Sequence, residues 1–582
     1  MTPNFSICLI GRNEEKMLHR LISTLVDFQM LGGEVVLVDT GSIDGTAEMA
    51  RAAGFKVEEV GSKFLVDIDK EKAGAINAKF MVGGEKNVVE SGDKVFDFSS
   101  ARNYAASLAK NNHVSFADCD EAFTVMDINK INELISSGND QFEYNFVFSH
   151  DDKGNEAIKF VQSKFYNRTK LKWVNMIHEV LAPITNGPIQ KAFLPETIFK
   201  LEHWQNQETN RTGYLKGLAL DCFNNQGNDR NSHYFARECF YHGRYRTAIK
   251  EFERHIGMNG WTAERAQSMI FMGDCYGFLN EPELQEELYS KAIFVDSNRR
   301  EAYVKLAQFY LHNKNYRAAI AYASAALTIP WDGYYANNKE LYENIPHEIL
   351  YVSYGWIGDI KNAKENISKA LEYRPLNSVY LRDLRYYFKL PTVSIVIPTI
   401  NTRPDGMDKL IESIYKLNYP KELVSTIVEE GAGTVPEKTN KGVDKSQADY
   451  IVFAADDMEF TPDALILAVW DSIRTGKRLV AFDTGVRNAE GYICEHFLIK
   501  KDLIQLLDKK EVFCSEVKHV GCDDFLWKQC EKLGEAMISS GYVLHKHFSR
   551  PGGKMDETNV LGWSNEANDR AIIKRKIEEL NR

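Results

Sequence analysis

The sequence lacks the features that mark membrane-spanning, disulfide-bonded and disordered chains. No apolar run approaches the roughly 20 residues that a membrane-spanning helix needs. The apolar stretch 7–10 is interrupted at once by the polar stretch 11–15, which predicts no signal peptide. The nine cysteines contain no CxxC pair, which argues against a disulfide framework and a structural zinc site. With only 15 widely spread prolines, the chain is expected to be a globular, cytoplasmic protein with free thiols.

An excess of positive charge is also missing. The formal net charge is -11 and the carboxylates are dispersed, which disfavours a protein that mainly binds nucleic-acid phosphates. What is present is an ordinary globular composition, with 44% hydrophobic and 26% charged residues over 582 positions. One hydrophobic core rarely serves so long a chain, so we expect about three domains.

The first segment alternates β-branched runs with amphipathic helical patterns. Residues 5–10 and 34–39 are predicted strands, and residues 16–28 and 46–53 are predicted helices. Two consecutive strand-helix units predict a parallel sheet that binds its ligand at the carboxyl ends of the strands. The polar residues expected at these ends are Arg12, Asn13, Asp39 and Asp44.

The middle of the chain, residues 231–385, carries helical patterns alone. The small residues Cys239, Gly273 and Ala307 recur every 34 residues, which is the tetratricopeptide period. Residues 331–346 lengthen the next interval and are predicted to form an insertion between repeats. Such repeats serve either as a rigid spacer or homodimerisation surface, or as a concave peptide-binding groove.

A strand-helix pattern restarts after the helices. Residues 392–398 and 424–428 are predicted strands with a helix at 410–417 between them. The predicted division is therefore an α/β domain at 1–225, tetratricopeptide-like repeats at 226–388 and a second α/β domain at 389–582.

An acidic triplet follows the predicted strand 114–117. Asp118 and Asp120, separated by Cys119, stand at the end of that strand, where two carboxylates can hold a hard divalent cation that bridges a diphosphate. Alone, such a triplet is weak evidence, because it also caps helices. The triplet gains weight from the ordered motifs around it, at residues 11–15, 38–46, 97–103, 173–180 and 201–204.

Together these motifs resemble the family 2 glycosyltransferases of the GT-A fold over residues 6–203. The resemblance implies an inverting, metal-dependent hexosyl or related transferase that uses a UDP- or GDP-sugar, Mn²⁺ or Mg²⁺, and a glycan or protein acceptor. It implies Glu179 as general base and Asp118, Asp120 and His203 as metal ligands. The implied donor-binding residues are Arg12, Asn13, Glu14, Asp39, Asp44, Arg102, Asn103 and Asp118.

The C-terminal domain resembles the same family independently. Asp456 and Asp457 are followed by Met458 instead of completing a DxD triplet, which puts metal binding in doubt and leaves Glu459 as a substitute. The resemblance implies Asn440 and Asp456 as donor contacts and Asp457 and His545 as metal ligands. It implies Asp523 and Asp524 as the catalytic carboxylates of a catalytic-base segment. The domain is either a second working transferase or a relic that binds the acceptor.

Other interpretations stay open at this point. Residues 62–96 form a longer link than expected, either a lid near the donor site or a passive surface excursion. One active domain with scaffold modules, or a scaffold without catalysis, is the main alternative to a tandem enzyme. Nucleotidyl transfer is disfavoured by the acidic Glu14 and Glu15 where a basic phosphate loop would be needed, and the acidic charge disfavours glycosylation of modified phage DNA bases.

Overall fold

The computed structural model describes residues 1–150, 154, 156–204, 213–332, 337–485, 494–545 and 564–582. The chain forms two compact units, Met1–Tyr342 and Glu343–Arg582. The boundary between the units falls inside the helical segment, so each unit joins an α/β domain to part of the helices. The three-part division at 225 and 388 stays a prediction. Among the described residues no helix is both long and apolar enough to cross a membrane, and the nine cysteines are free and buried.

The first α/β domain is built on a mixed sheet of nine strands in the order β3-β2-β1-β6-β9-β8-β13-β7, with β12 beside β8. Strands β3, β2, β1 and β6 run parallel, as the strand-helix pattern predicts, whereas β9 is antiparallel to both of its neighbours. The strands are β1 (Phe5–Gly11), β2 (Glu34–Asp39), β3 (Lys56–Glu59), β4 (Leu65–Ile68), β5 (Asp93–Phe96), β6 (His113–Phe116), β7 (Glu121–Met126), β8 (Gln141–His150), β9 (Glu156–Asn167), β10 (Leu171–Val174), β11 (Val180–Pro183), β12 (Lys191–Leu194) and β13 (Phe199–His203). The helices are α1 (Glu15–Met30), α2 (Thr46–Ala52), α3 (Lys70–Phe80), α4 (Phe98–Leu108) and α5 (Ile128–Ser136).

Local sequence explains the central elements of this sheet. Strand β1 is mainly apolar and almost wholly buried on both faces, because helices cover a parallel sheet from both sides. Helix α1 buries apolar residues at a spacing of three and four positions, which makes one apolar stripe. Asp97 caps α4 by accepting a hydrogen bond from the Ser100 amide. The carboxyl ends of β1, β2 and β6 therefore meet at one edge of the sheet.

The helices of the middle segment form antiparallel pairs, of which α7 with α8, α9 with α10, α11 with α12 and α14 with α15 pack most closely. The 34-residue period has a steric cause: a Cβ on Gly273 would lie 2.5 Å from the Tyr289 ring, and Cys239 and Ala307 are fully buried. Of the predicted insertion, residues 333–336 lie outside the described residues. The helices are α6 (Tyr214–Asn224), α7 (Asp229–Tyr241), α8 (Tyr245–Gly257), α9 (Thr262–Phe278), α10 (Pro282–Val295), α11 (Arg300–His312), α12 (Tyr316–Leu327) and α13 (Lys339–Tyr342) in the first unit, and α14 (Asn344–Trp356), α15 (Ile360–Tyr373) and α16 (Ser378–Tyr387) in the second.

The 62–96 link has secondary structure and contacts of its own, and its two predicted roles, a lid or a surface excursion, stay predictions. It folds into β4, α3 and β5, and it is joined to the first helical repeat by hydrogen bonds. The Glu85 carboxylate accepts hydrogen bonds from the backbone amides of Arg246 and Thr247 at the start of α8, and the Arg244 guanidinium donates to the carbonyl oxygens of Lys86 and Asn87. The link therefore braces the first α/β domain against the repeats.

The second α/β domain repeats the strand order of the first. Its seven-stranded sheet has the order β15-β14-β16-β19-β18-β20-β17, which matches β2-β1-β6-β9-β8-β13-β7 strand for strand. Its strands are β14 (Val393–Pro398), β15 (Val424–Glu429), β16 (Tyr450–Phe453), β17 (Met458–Phe460), β18 (Leu479–Asp483), β19 (Phe497–Lys500) and β20 (Ala536–His545). Its helices are α17 (Pro404–Tyr415), α18 (Val435–Lys445), α19 (Ala464–Thr475), α20 (Lys501–Ile504), α21 (Cys522–Lys532) and α22 (Glu566–Asn581).

Candidate active sites

A cleft of about 620 Å³ opens at the carboxyl ends of β1, β2 and β6 in the first α/β domain. It brings together most of the residues that the sequence motifs single out in this domain. Those lining the cleft are Arg12, Glu14, Arg102, Asp118, Asp120, Glu179 and His203. Side chains from motifs that are far apart in the sequence therefore meet in one cleft.

Arg102 is the centre of a buried ion network in this cleft. Its Nε donates to Glu179 Oε1 at 2.6 Å and its Nη2 to Asp118 Oδ1 at 2.8 Å. Although burial opposes the charge, these two carboxylates raise the pKa of Arg102 above its ordinary value. Nη1 is buried and has no hydrogen-bond partner among the described residues. The guanidinium thus holds the candidate base in place and keeps one donor for a ligand.

The other oxygen of Asp118 accepts a hydrogen bond from Lys164 Nζ at 2.8 Å, and Lys164 also contacts Glu121 Oε1 at 2.6 Å. Burial raises the pKa of Asp118, but Arg102 and Lys164 outweigh it and hold that pKa well below its usual range. Asp118 is thus an ion-paired carboxylate here, and its role as a metal ligand stays a prediction. Sequence reasoning missed Lys164 and Glu121, because no local pattern marks a lysine of β9 as a partner of Asp118.

Asp120 and His203 form a separate pair at the cleft. His203 Nδ1 donates to the Phe148 carbonyl oxygen at 3.0 Å, which directs Nε2 towards Asp120 Oδ2 at 3.1 Å. Despite burial, which lowers it, the contact with Asp120 raises the pKa of His203. A backbone carbonyl on the far nitrogen is the usual support of a metal-binding histidine. Among the described residues no group of three or more His, Cys, Asp or Glu side chains is placed to hold a metal ion, so Asp120 and His203 stay predicted ligands.

Glu14 adds acidic character next to this pair. Burial, followed by the charges of Asp120 and Asp118, raises the pKa of Glu14 to about 7. Glu14 is the N-cap residue of α1, and its backbone amide donates to Thr46 Oγ1. The carboxyl group is thus held in a crowded acidic corner that favours a bound cation.

The remaining predicted donor residues divide into two kinds. Asp39 accepts the backbone amides of Gly41 and Ser42 through Oδ1, while its buried Oδ2 has no hydrogen-bond partner among the described residues. Asp44 and Asn13 instead tie the loops after β1 and β2 together, since Asp44 accepts from Thr46 and the Glu15 amide and Asn13 Oδ1 accepts from the Ile43 amide. Asp39 keeps an acceptor for a ligand, whereas Asp44 and Asn13 have positioning contacts.

The segment that carries Glu179 is supported by the helices. His178 stacks on Tyr234 of α7 with ring centroids 4.1 Å apart and lies 5.6 Å from Tyr214 of α6. Asn103, a predicted donor contact, exchanges two hydrogen bonds with the Trp173 backbone. The contacts of Asn103 thus hold the chain that leads to Glu179.

The second α/β domain has an aspartate-histidine pair at the same position in its sheet. The last pair of the β1–β6 ladder is Cys8 with Phe116, and the last pair of the β14–β16 ladder is Val396 with Phe453. Asp120 lies four residues after Phe116 and Asp457 four residues after Phe453, so the two aspartates correspond. His203 pairs with Glu121 as His545 pairs with Met458. His545 Nε2 lies 3.2 Å from Asp457 Oδ1 and its Nδ1 lies 3.2 Å from Glu495 Oε2.

The same register shows where the acidic motif changes between the domains. Ala455 occupies the position of Asp118, and Met458 that of Glu121. The acid that the second domain lacks from the triplet is therefore the first one, at Ala455, whereas the sequence comparison placed the change at Met458. Arg403 Nη1 contacts both Asp457 Oδ2 at 2.6 Å and Asp456 Oδ1 at 3.2 Å. Burial raises the pKa of Asp457, but hydrogen bonding to His545 and the charge of Arg403 lower it overall.

The acids predicted to be catalytic in the second domain stand at the start of α21. Burial, together with the charge of Asp524, raises the pKa of Asp523 to about 7. Asn440, a predicted donor contact, instead holds the backbone of Val512 and Phe513 with its amide group. Asn440 therefore plays the same positioning part as Asn103, on the chain that leads to Asp523.

A tetratricopeptide repeat family model matches residues 301–330, which cover α11 except its first residue and all of α12. No curated protein sequence matches the chain significantly. Similar solved structures include MamA (TM-score 0.24, 16% identity, 28% of this chain and 88% of that one) and YrrB, a TPR protein with an unusual peptide-binding site (0.24, 14%, 29% and 81%). The mannosyltransferase PcManGT from Pyrobaculum calidifontis, in complex with GDP-Man and Mn²⁺, is also similar (0.22, 18%, 30% and 67%). The helical region thus contains at least one tetratricopeptide repeat.

Proposed function

We propose that the chain is an inverting glycosyltransferase whose first α/β domain transfers a sugar from a nucleoside diphosphate sugar to a glycan or protein acceptor. The observation that carries this proposal is the convergence of two pairs on one cleft. In this proposal Asp120 and His203 form the cation site. Arg102 offers an N–H group to a phosphate oxygen, and Glu179 beside it is the base.

Donor binding is assigned to buried atoms that have no hydrogen-bond partner within the described part of the chain. Asp39 Oδ2 is buried at the carboxyl end of β2 and would accept an N–H group of the nucleobase. Arg102 Nη1 is buried and would donate to a diphosphate oxygen. Because an unsatisfied buried polar group costs about 1–3 kcal/mol, binding of a ligand that supplies these partners is favoured.

A divalent cation would be held by Asp120 and His203, and Mn²⁺ suits a mixed carboxylate and imidazole set. When bound, it would neutralise charge on the leaving diphosphate. The Phe148 carbonyl oxygen fixes the ring orientation of His203, and a bound cation would favour the ionised form of the nearby Glu14, whose pKa is raised by burial and by the adjacent acids.

Glu179 is the proposed general base, which removes the proton from the acceptor nucleophile as that atom attacks the anomeric carbon from the face opposite the diphosphate. Arg102 orients Glu179 from one side, and the stack of His178 on Tyr234 supports the adjacent backbone. The second α/β domain would act as a second transferase site in tandem, or bind the acceptor.

The proposal is tested by incubating the full chain with a panel of UDP- and GDP-sugars and Mn²⁺ and measuring release of the nucleoside diphosphate. Asp120→Asn is expected to lower the rate about 100-fold, since a charged contact to the cation is lost. Asp67→Asn, which changes an exposed aspartate, is the matched control. Unchanged turnover in Asp120→Asn would overturn the proposal.

A second candidate function is partner binding by the helices, favoured by the family match at residues 301–330. In this case the repeats would carry a peptide segment of the acceptor or of another protein. Asp120→Asn would then abolish nucleotide binding without affecting partner binding. A pull-down with the acceptor would measure the partner binding.

A further inference from the structure

The second α/β domain differs from the first in where its positive charge lies. In the first domain the cations Arg102 and Lys164 contact Asp118, and the histidine-facing Asp120 has neither of them as a partner. In the second domain Ala455 replaces Asp118, and the guanidinium of Arg403 lies directly on the histidine-facing Asp457. The carboxylate that faces the histidine is thus neutralised by the protein itself.

Arg403 also occupies a defined place in the fold. It is the N-cap residue of α17, the helix that follows the first strand of its sheet, as Glu14 is the N-cap residue of α1. The helix that follows the first strand thus begins with an acid in the first domain and with a guanidinium in the second. An acidic corner that attracts a cation in the first domain therefore carries its own cation in the second.

Arg403 stands at a helix start, and a second cation, Lys438, is linked to the same aspartate, Asp456, through Thr399. Lys438 is buried, and its Nζ donates to the carbonyl oxygen of Thr399 at 2.9 Å, while the Thr399 hydroxyl donates to Asp456 Oδ2. A Cβ on Gly406 would lie 2.4 Å from the Asp456 carbonyl oxygen, so the first turn of α17 is pressed against this strand end. Guanidinium, ammonium and helix start together suit a diphosphate.

A divalent cation does not fit this set as well as the one in the first domain. The Asp457 carboxylate has one oxygen on Arg403 and the other on His545, and a metal ion there would lie close to the guanidinium charge. We propose that the second α/β domain binds the diphosphate of a nucleotide through Arg403 and Lys438 without a divalent cation. The chain would then hold one metal-dependent and one metal-free nucleotide site, an inference that rests on the proposed function.

The test uses the full chain with UDP and GDP as probes. Mn²⁺ binding is counted by the electron paramagnetic resonance signal of free Mn²⁺, and nucleotide binding is measured by calorimetry with Mn²⁺ and with EDTA. We expect Asp120→Asn to remove the tight Mn²⁺ site and Asp457→Asn to leave it. In EDTA, the Asp120→Asn chain is expected to keep a bound nucleotide, and adding Arg403→Gln should weaken it about tenfold or more, because a charge-assisted contact is lost.

Arg403→Lys keeps the charge and should retain most of the affinity in EDTA, and Arg570→Gln, an exposed arginine of the same unit, is the matched control. A second Mn²⁺ site that disappears in Asp457→Asn would overturn the inference, as would nucleotide binding that EDTA abolishes completely. If Mn²⁺-dependent binding at the first site persists in that case, the proposed function stands and only this inference fails. If the wild-type chain binds nucleotide in EDTA and Mn²⁺ adds no further nucleotide binding, the inference stands and the metal-dependent function fails.

Discussion

The two α/β domains share a strand order and a histidine-aspartate pair but not a charge pattern. His203 faces Asp120 at 3.1 Å in the first domain, and His545 faces Asp457 at 3.2 Å in the second. These pairs survive because adjacent strands of one sheet fix both partners. The surrounding charges come from loops and helix starts, which are free to change while the sheet stays the same.

The difference concerns which carboxylate carries the positive partner. The first domain neutralises Asp118 through Arg102 and Lys164, whereas the second has Ala455 at that position and Thr439 at the position of Arg102 when residues are counted from the N-caps of α4 and α18. One scaffold can thus keep an acid available for a ligand cation or neutralise it internally. A shared fold therefore does not imply a shared metal requirement.

The largest expected effect concerns the candidate bases. Glu179→Gln should lower sugar transfer roughly 10³-fold, because a positioned general base is removed, while nucleotide affinity changes little. Asp523→Asn should leave the same first-domain reaction almost unchanged. Turnover with the donor identified by the panel and calorimetry with its nucleotide check both statements. Equal losses in the two variants would show that the domains act as one site.

The next largest expected effect is on the free energy of unfolding, which should fall more in the first domain than in the second when corresponding residues are changed. Arg102→Met leaves Asp118 and Glu179 without the guanidinium they share, and we expect a loss of about 3 kcal/mol in the first domain. Thr439→Val at the corresponding position removes only a hydroxyl that donates to the Val435 carbonyl oxygen, and should cost less than about 1 kcal/mol. Hydrogen exchange followed by mass spectrometry resolves the two domains separately. Similar costs in both variants would mean that the Arg102 network contributes little.

Sequence reasoning predicted the elements of this architecture better than its contacts. The strand-helix patterns and the 34-residue period depend on local spacing, so β1, β2, β14 and the repeats were predictable. Lys164 was not, because only the pairing of β9 with β6 brings it to Asp118. Arg403 was missed for the same reason, since no motif marks a helix start that contacts a distant strand end.

Motif comparison also assigned some residues by type rather than by contact. Asn103 and Asn440 match the family pattern, but both amide groups are used by backbone. In the sequence, Met458 stands where the second aspartate of a DxD triplet was expected. The strand register instead aligns Ala455 with Asp118, so the missing acid is at Ala455. Register is a tertiary property, and a shift of one residue reverses which side chains face the site.

The paired asparagines give the comparison an internal control. Asn103→Ala and Asn440→Ala each remove hydrogen bonds to backbone next to a candidate base segment. We expect similar destabilisation of about 2 kcal/mol in both domains, because the lost contacts are alike. Hydrogen exchange of the two segments, at 171–174 and 510–514, provides the measurement. A clearly larger loss in one domain would show that the two clamps are not equivalent.

The smallest expected effect is on the free energy of unfolding at pH 8, which should change in opposite directions when the two candidate bases, Asp523 and Glu179, are neutralised. The pKa of Asp523 is raised to about 7, above the value of about 3.9 for an unfolded chain, so its contribution to stability is present below about pH 4 and is lost as pH rises to about 7. Asp523→Asn should therefore stabilise the second unit at pH 8 by about 1 kcal/mol, allowing for solvent screening of a half-buried group, and change little at pH 4. Glu179→Gln should instead destabilise the first unit at pH 8, because Arg102 loses a charged partner. Thermal unfolding of each variant at both pH values measures the difference, and a stabilising Glu179→Gln would remove the proposed contrast between the two sites.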